Sequence, residues 1–340
     1  MIESLFLRST PKEAATESDS SRSLKPECTL KPDQSKAAGQ IHWLAGRLAG
    51  ATLVLMAIGS ATRVMNAGLA CPDWPLCYGQ LLPSQQMNLQ VFLEWFHRLD
   101  ASIVGFGTIA LVALSLLKRR LLPRWVLGMA IAALGLVLFQ GALGAFTVTE
   151  LLRFDIVTAH LGTALLFFSL LLTLTMSLKP YEAVGSAGYL RWCGLAAALL
   201  VYGQSILGGL VASQWALHQC LAGSQLCKIM SSHILGVFPA TAAVLTLVVL
   251  TLRKPAVSPL LRRLAMASGL ALAAQASLGV AALRLRLQVE PLTVSHQLVG
   301  ATLLGLLISF TVIAWRDQQA VARPTLNATS TAKAATSGAA

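Results

Sequence analysis

The chain alternates between long apolar segments and short polar loops over most of its length. Eight segments contain the roughly 20 mostly apolar residues that a helix needs to cross the hydrocarbon core of a bilayer. The pattern predicts these helices at 41–64, 94–117, 125–148, 156–178, 191–213, 230–252, 262–283 and 293–315. The expected fold is therefore an all-α, multi-pass integral membrane protein.

The two ends of the chain have a different composition. Residues 1–40 are polar, carry both acidic and basic side chains and contain few aromatic residues, as disordered segments do. They also lack the apolar stretch of a secretory signal peptide. Residues 316–340 are rich in alanine, serine and threonine. Both ends are predicted to be disordered tails.

Basic residues mark one side of the predicted membrane domain. The first loop, 65–92, contains no lysine or arginine, whereas the second and sixth loops contain Lys118, Arg119, Arg120, Arg124, Arg253, Lys254, Arg262 and Arg263. Loops rich in lysine and arginine remain in the cytoplasm. This distribution predicts that both termini are cytoplasmic. It also explains the net charge of +12 without a nucleic-acid partner.

Histidines reveal an internal repeat. His97 and His233 are 136 positions apart, and so are His160 and His296. The stretch "QGALG" at 140–144 likewise recurs as "QASLG" at 275–279. The chain is therefore predicted to form two pseudo-symmetric four-helix bundles, 41–178 and 191–315. Their symmetry axis would run along the membrane normal because both halves have the same orientation.

These four histidines are expected at one depth in the membrane. Each lies near the start of a helix that runs from the outer to the inner side, and each half contributes two of them. Two imidazoles on facing helices of a bundle can bind a haem iron axially. We therefore predict one haem-iron pair from His97 and His160 and another from His233 and His296. His42 and His218 lie outside the repeat and are expected at the membrane interfaces.

Glu94 distinguishes the first half from the second. It precedes His97 by three residues, on the same face of the helix, whereas the equivalent residue before His233 is Met230. An ionisable residue within a membrane helix is a functional candidate. The alternative is that Glu94 caps its helix or pairs with Arg98. The difference suggests that one half only holds a haem and the other acts on it.

Cysteines occur in pairs in two outer loops, where disulfides persist. Cys71 and Cys77 belong to "CPDWPLC", and Cys220 and Cys227 belong to "CLAGSQLC". Each pair could be a structural disulfide or a redox-active dithiol. Cys28 and Cys193 are expected to remain unpaired.

Several motifs together resemble the haem A synthase family over residues 41–315. They are "TRVMNAGLACPDWPLCYGQ", "EWFHRLDASIVG", "TAHLGTALL", "SSHILG" and "SHQLVGATLL". Members of this family oxidise the C8 methyl group of haem O to a formyl group by successive hydroxylations, which gives haem A for terminal oxidases. The resemblance implies that His233 and His296 bind a resident haem b. His97, His160 and Glu94 would then bind and oxidise the substrate haem.

The resemblance also implies partners and a location. Haem O is the expected substrate, haem O synthase its supplier, and an electron donor and terminal oxidase assembly factors are further expected partners. A homo-oligomer is an open alternative, and the expected location is a bacterial plasma membrane. Two rival functions fit part of the sequence: a non-catalytic bis-histidine cytochrome b, and a transporter or haem exporter.

Overall fold

The computed structural model describes residues 32–213, 225–285 and 288–337, and most of them belong to eight helices. The helices are α1 (Pro32–Val64), α2 (Leu89–Leu117), α3 (Arg124–Thr149), α4 (Phe154–Leu178), α5 (Leu190–Ser213), α6 (Gln225–Arg253), α7 (Pro259–Arg284) and α8 (Glu290–Ser337). Each is long and apolar enough to cross a membrane. The predicted all-α fold with eight spanning helices is confirmed.

The first and last helices extend into segments that were expected to be disordered. Helix α1 begins at Pro32 instead of residue 41, and α8 continues to Ser337 instead of ending at residue 315. The expectation of disorder therefore does not hold for 32–40 and 316–337. Extending a helix that is already nucleated costs little, and burial of Ala37 stabilises the added turns of α1.

The helices form two closed rings that share an interface. Within the first ring α1, α2, α3 and α4 contact one another in sequence and α4 contacts α1; α5 to α8 repeat this arrangement. Helices α4 and α8 pack together, α4 also contacts α5, and α1 contacts α8. At this central interface, Phe168 and Leu172 of α4 lie close to Gly305 of α8. Two-fold symmetry and orientation in the membrane remain predictions.

Asp317 forms hydrogen bonds to the α4–α5 loop, which connects the two rings. This residue of α8 is fully buried. Its carboxylate accepts a hydrogen bond from the Tyr181 hydroxyl at 2.8 Å and from the backbone N–H groups of Val184, Ser186 and Ala187 at 2.7–2.9 Å. A buried carboxylate is stable only when it is hydrogen-bonded in this way. The α4–α5 loop is consequently held against α8.

Candidate functional site

The four repeated histidines lie at the same end of the bundle, which we call the histidine end: the end at which α2, α4, α6 and α8 begin. His97 and His233 are each the ninth residue of their helix, and His160 and His296 are each the seventh. At about 1.5 Å per residue, they lie roughly 9–12 Å along their helices. The sequence predicted them near the starts of these helices. They lie further along because the helices begin two to five residues earlier than predicted.

Each of these histidines packs against a glycine on the preceding helix. A Cβ atom added to the glycine would lie 2.7–3.3 Å from Cε1 of the imidazole, closer than side chains normally approach. The four contacts join His97 to Gly59, His160 to Gly144, His233 to Gly208 and His296 to Gly279. The absence of a side chain on each glycine therefore makes room for an imidazole at the same level in both rings.

The two imidazoles within each ring lie near one another. His97 and His160 are close enough to interact electrostatically, and so are His233 and His296. Nδ1 of His97, His160 and His296 is buried and has no hydrogen-bond partner among the described residues. A buried polar atom without a partner is costly, so these rings are suited to a ligand. Pairs of imidazoles are a recognised axial ligand set for haem iron.

The described residues do not gather into other metal sites. Among them, no group of three or more histidine, cysteine, aspartate or glutamate side chains could hold a metal ion. A zinc or copper site made from all four repeated histidines therefore has no support within 32–213, 225–285 and 288–337. His42 lies outside the histidine pairs and its Nδ1 is 2.9 Å from the carbonyl oxygen of Thr175.

Glutamine side chains contact both histidines of the second ring. Gln204 Nε2 donates to the backbone carbonyl of His233 at 2.6 Å and lies 3.1 Å from its Nδ1. Gln275 Nε2 lies 3.2 Å from Nε2 of His296. Each glutamine precedes the glycine that packs against the same histidine by four residues. A ligand histidine is commonly oriented by a hydrogen bond of this kind.

The first ring has this glutamine on one side only. Gln140 Nε2 donates to the backbone carbonyl of His160 at 2.9 Å, and Gln140 precedes Gly144 by four residues. The corresponding position before Gly59 is Leu55, whose side chain cannot form a hydrogen bond. Two of these glutamines, Gln140 and Gln275, begin the motif that recurs in the sequence, but the repeat alone gave them no role. The shared spacing before a glycine is the signal that could have identified all three.

Glu94 is buried and both of its oxygens are engaged. Oε1 accepts from Arg98 Nη2 at 2.5 Å, and Oε2 accepts from the backbone N–H of Cys71 at 2.8 Å. The side chain of Arg98 also donates to the carbonyl oxygens of Asp73 and Leu76. The pairing with Arg98 that the sequence offered as an alternative is thus present. Glu94 and Arg98 together attach the 71–77 loop to α2 beside His97.

The 71–77 loop is closed by the predicted disulfide between Cys71 and Cys77, and both cysteines are buried. Asp73 accepts hydrogen bonds from the backbone N–H groups of Tyr78 at 2.6 Å and Gly79 at 2.8 Å. These bonds, chiefly that from Gly79, hold the pKa of the Asp73 carboxyl below its usual range. The loop is therefore a rigid cap at the histidine end.

The remaining predicted cysteines and one histidine have mixed outcomes. Cys193 is a free thiol, as expected. The predicted Cys220–Cys227 disulfide lies outside the described side chains, and so do His218 and Cys28. These interpretations stay predictions.

Comparison with known proteins identifies relatives over most of the chain. The family model of the COX15-CtaA cytochrome oxidase assembly proteins matches residues 42–308. The chain is 33% identical over 202 residues to a haem A synthase of Shewanella oneidensis, in an alignment that covers 54% of this chain and 60% of that protein. It is 27% identical to the haem A synthase of Erythrobacter litoralis, covering 75% and 91% of the two chains. The haem A synthase of Caulobacter vibrioides is 28% identical, with coverages of 79% and 93%.

Proposed function

The chain belongs to the COX15-CtaA family of cytochrome oxidase assembly proteins, and from this premise we propose that it is a haem A synthase. Its reaction is the oxidation of a methyl group of haem O to a formyl group. That conversion adds one oxygen atom and removes two hydrogen atoms from the substrate. The observation that carries the proposal is the set of four imidazoles, two in each ring, that pack against glycines at one end of a family-matched bundle.

The second ring is the proposed site of a resident haem b. His233 and His296 would hold its iron, with Gln204 and Gln275 positioned to orient the two histidines. Haem b bound there supplies one-electron transfer. The Gly208 and Gly279 contacts support this assignment because a side chain at either position would displace an imidazole.

The first ring is the proposed site of substrate oxidation. His97 and His160 would hold haem O, and Glu94 provides a negative charge beside His97. Although this carboxylate is ion-paired with Arg98, it would favour positive charge that develops as the methyl group is oxidised, or accept a proton through its remaining lone pairs. His97 has Leu55 in place of an orienting glutamine.

The proposal includes partners and a location. Haem O synthase would supply the substrate, an electron donor would supply reducing equivalents, and assembly factors of a terminal oxidase would receive the product. The protein is an integral multi-pass membrane protein, and we place it in the bacterial plasma membrane.

A bis-histidine cytochrome b would share the two imidazole pairs. It offers no reason for Glu94 in the first ring, whose equivalent position before His233 is Met230. A transporter typically has discontinuous membrane helices, whereas the eight helices are continuous over the described residues. Both alternatives therefore leave observations unexplained that a haem A synthase accommodates.

Haem extraction tests the proposal. The full-length protein is co-expressed with a haem O source, and the haems of the membrane are separated by chromatography. We expect haem A with the wild type and none with His97→Ala. Haem O that persists unchanged with the wild type, while a relative of known activity converts it under the same conditions, would refute the proposal.

A further inference from the structure

Arg63 is a cation at the histidine end that the proposed roles leave unused. It is the penultimate residue of α1 and follows Gly59, the glycine beside His97, by one helical turn. Its side chain is partly buried. Its guanidinium Nη2 donates to Oε1 of Gln297 on α8 across 3.5 Å, a long and therefore weak hydrogen bond.

The other arginines near this end of α2 and α4 have carboxylate partners. Arg98 pairs with Glu94, and Arg153 pairs with Glu150 and Asp155. Within the part of the chain that the structure describes, Arg63 has no carboxylate within ion-pair distance. A guanidinium in a membrane helix is costly unless a counter-charge or a polar group compensates it. Arg63 is thus positioned for an anion that does not come from these residues.

Its location points to the source of that anion. Gln297 is adjacent in sequence to His296, so the guanidinium lies beside the second ring although α1 belongs to the first. Haem carries two propionate carboxylates, and arginine is the side chain best suited to bind a carboxylate with two parallel hydrogen bonds. A carboxylate could replace Gln297 as the hydrogen-bond acceptor of Arg63.

We propose that Arg63 binds a propionate of the haem held by His233 and His296. The inference rests on the proposed function, because that function supplies the haem. The first ring would then contribute a charged contact to the haem of the second ring, and the two sites would be joined through one side chain on α1.

Haem transfer measures this contact directly. Purified full-length protein carrying haem b is mixed with excess apomyoglobin, and the loss of haem is followed in the visible spectrum. We expect Arg63→Gln to release haem b roughly ten-fold faster than the wild type, as loss of a charge-assisted hydrogen bond implies. Arg63→Lys, which keeps the charge without the bidentate geometry, should fall between them. Arg284→Gln is the matched control, because it removes an exposed arginine from the same end.

A second readout separates loss of the charge from loosened packing. Removing a positive charge beside the haem should lower its reduction potential in Arg63→Gln and leave it nearly unchanged in Arg63→Lys. Size-exclusion chromatography establishes that each variant is folded and monodisperse. Equal release rates and equal potentials in Arg63→Gln and the wild type would overturn the proposal.

The test also identifies which haem is involved. In a His97→Ala, His160→Ala background only the second-ring site remains, and Arg63→Gln should still accelerate release there. An unchanged release rate for Arg63→Gln in this background would overturn the assignment, because the propionate would then belong to the substrate haem. If the proposed function is wrong, the wild type itself will hold haem b but make no haem A.

Discussion

Replacing Gly208 with alanine should weaken the second haem site while leaving the helix intact. The added Cβ would lie 3.0 Å from Cε1 of His233, whereas ordinary contacts begin at 3.4 Å. The imidazole must therefore move by at least a few tenths of an ångström. Overpacking of this kind costs about 1–3 kcal/mol. Each 1.4 kcal/mol is a factor of about ten in affinity, so haem b retention should fall roughly five- to a hundred-fold.

Gly203→Ala is the matched control because it lies on the same helix and an added Cβ there has no atom within 4 Å. Both substitutions favour the helix by up to about 1 kcal/mol. Haem content per protein, measured from the reduced-minus-oxidised spectrum after purification, should drop in Gly208→Ala only. Equal haem content in the two variants would show that the glycine beside His233 is not needed to position it.

Three further changes test the disulfide loop and the loop between the rings. In Glu94→Gln we expect haem b to stay bound, haem A output to fall and the Cys71 amide to exchange hydrogen faster by mass spectrometry; loss of haem b instead would reverse the roles of the two rings. Because the pKa of Asp73 is lowered in the folded protein, its carboxylate stabilises the 71–77 loop above the unfolded pKa of about 3.9. This stabilisation is lost as the pH falls through the folded pKa. Exchange in its loop, corrected for intrinsic rates, should therefore rise only in acid, and persistence of that rise in Asp73→Asn would contradict this. In Asp317→Asn, an amide N–H group faces the backbone N–H donors of the α4–α5 loop, which costs roughly 1–3 kcal/mol. Limited proteolysis should therefore cut this loop in the variant. A loop that remains resistant would contradict the role given to Asp317.

The spanning helices could be predicted from the sequence because a bilayer requires about 20 apolar residues and the chain separates them by polar loops. Their ends were less accurate. Asn88 caps α2 by accepting a hydrogen bond from the Val91 amide, and the helix begins at Leu89, five residues before the apolar stretch was expected to start. Residues 32–40 are polar, and burial of Ala37 against the core stabilises them as helix, which composition alone does not predict.

The sequence identified individual residues of the candidate site but not the contacts between them. The 136-residue repeat identified the histidines, because that pattern lies entirely in the sequence. The glycine and glutamine that contact each histidine depend on how neighbouring helices pack. The Glu94–Arg98 pair follows from a four-residue helical spacing, whereas the bond from Glu94 to the Cys71 amide depends on the path of a loop that returns to α2.

The most direct test of the central claim is the haem composition of membranes that contain this protein and a haem O source. The account predicts a product that differs from haem O by one added oxygen atom and two lost hydrogen atoms, detected by mass spectrometry. It should be absent with His97→Ala although haem b remains in the second ring. Extraction of haem O and haem b without this product, from a folded wild-type protein, would contradict the synthase function and favour an electron-transfer cytochrome.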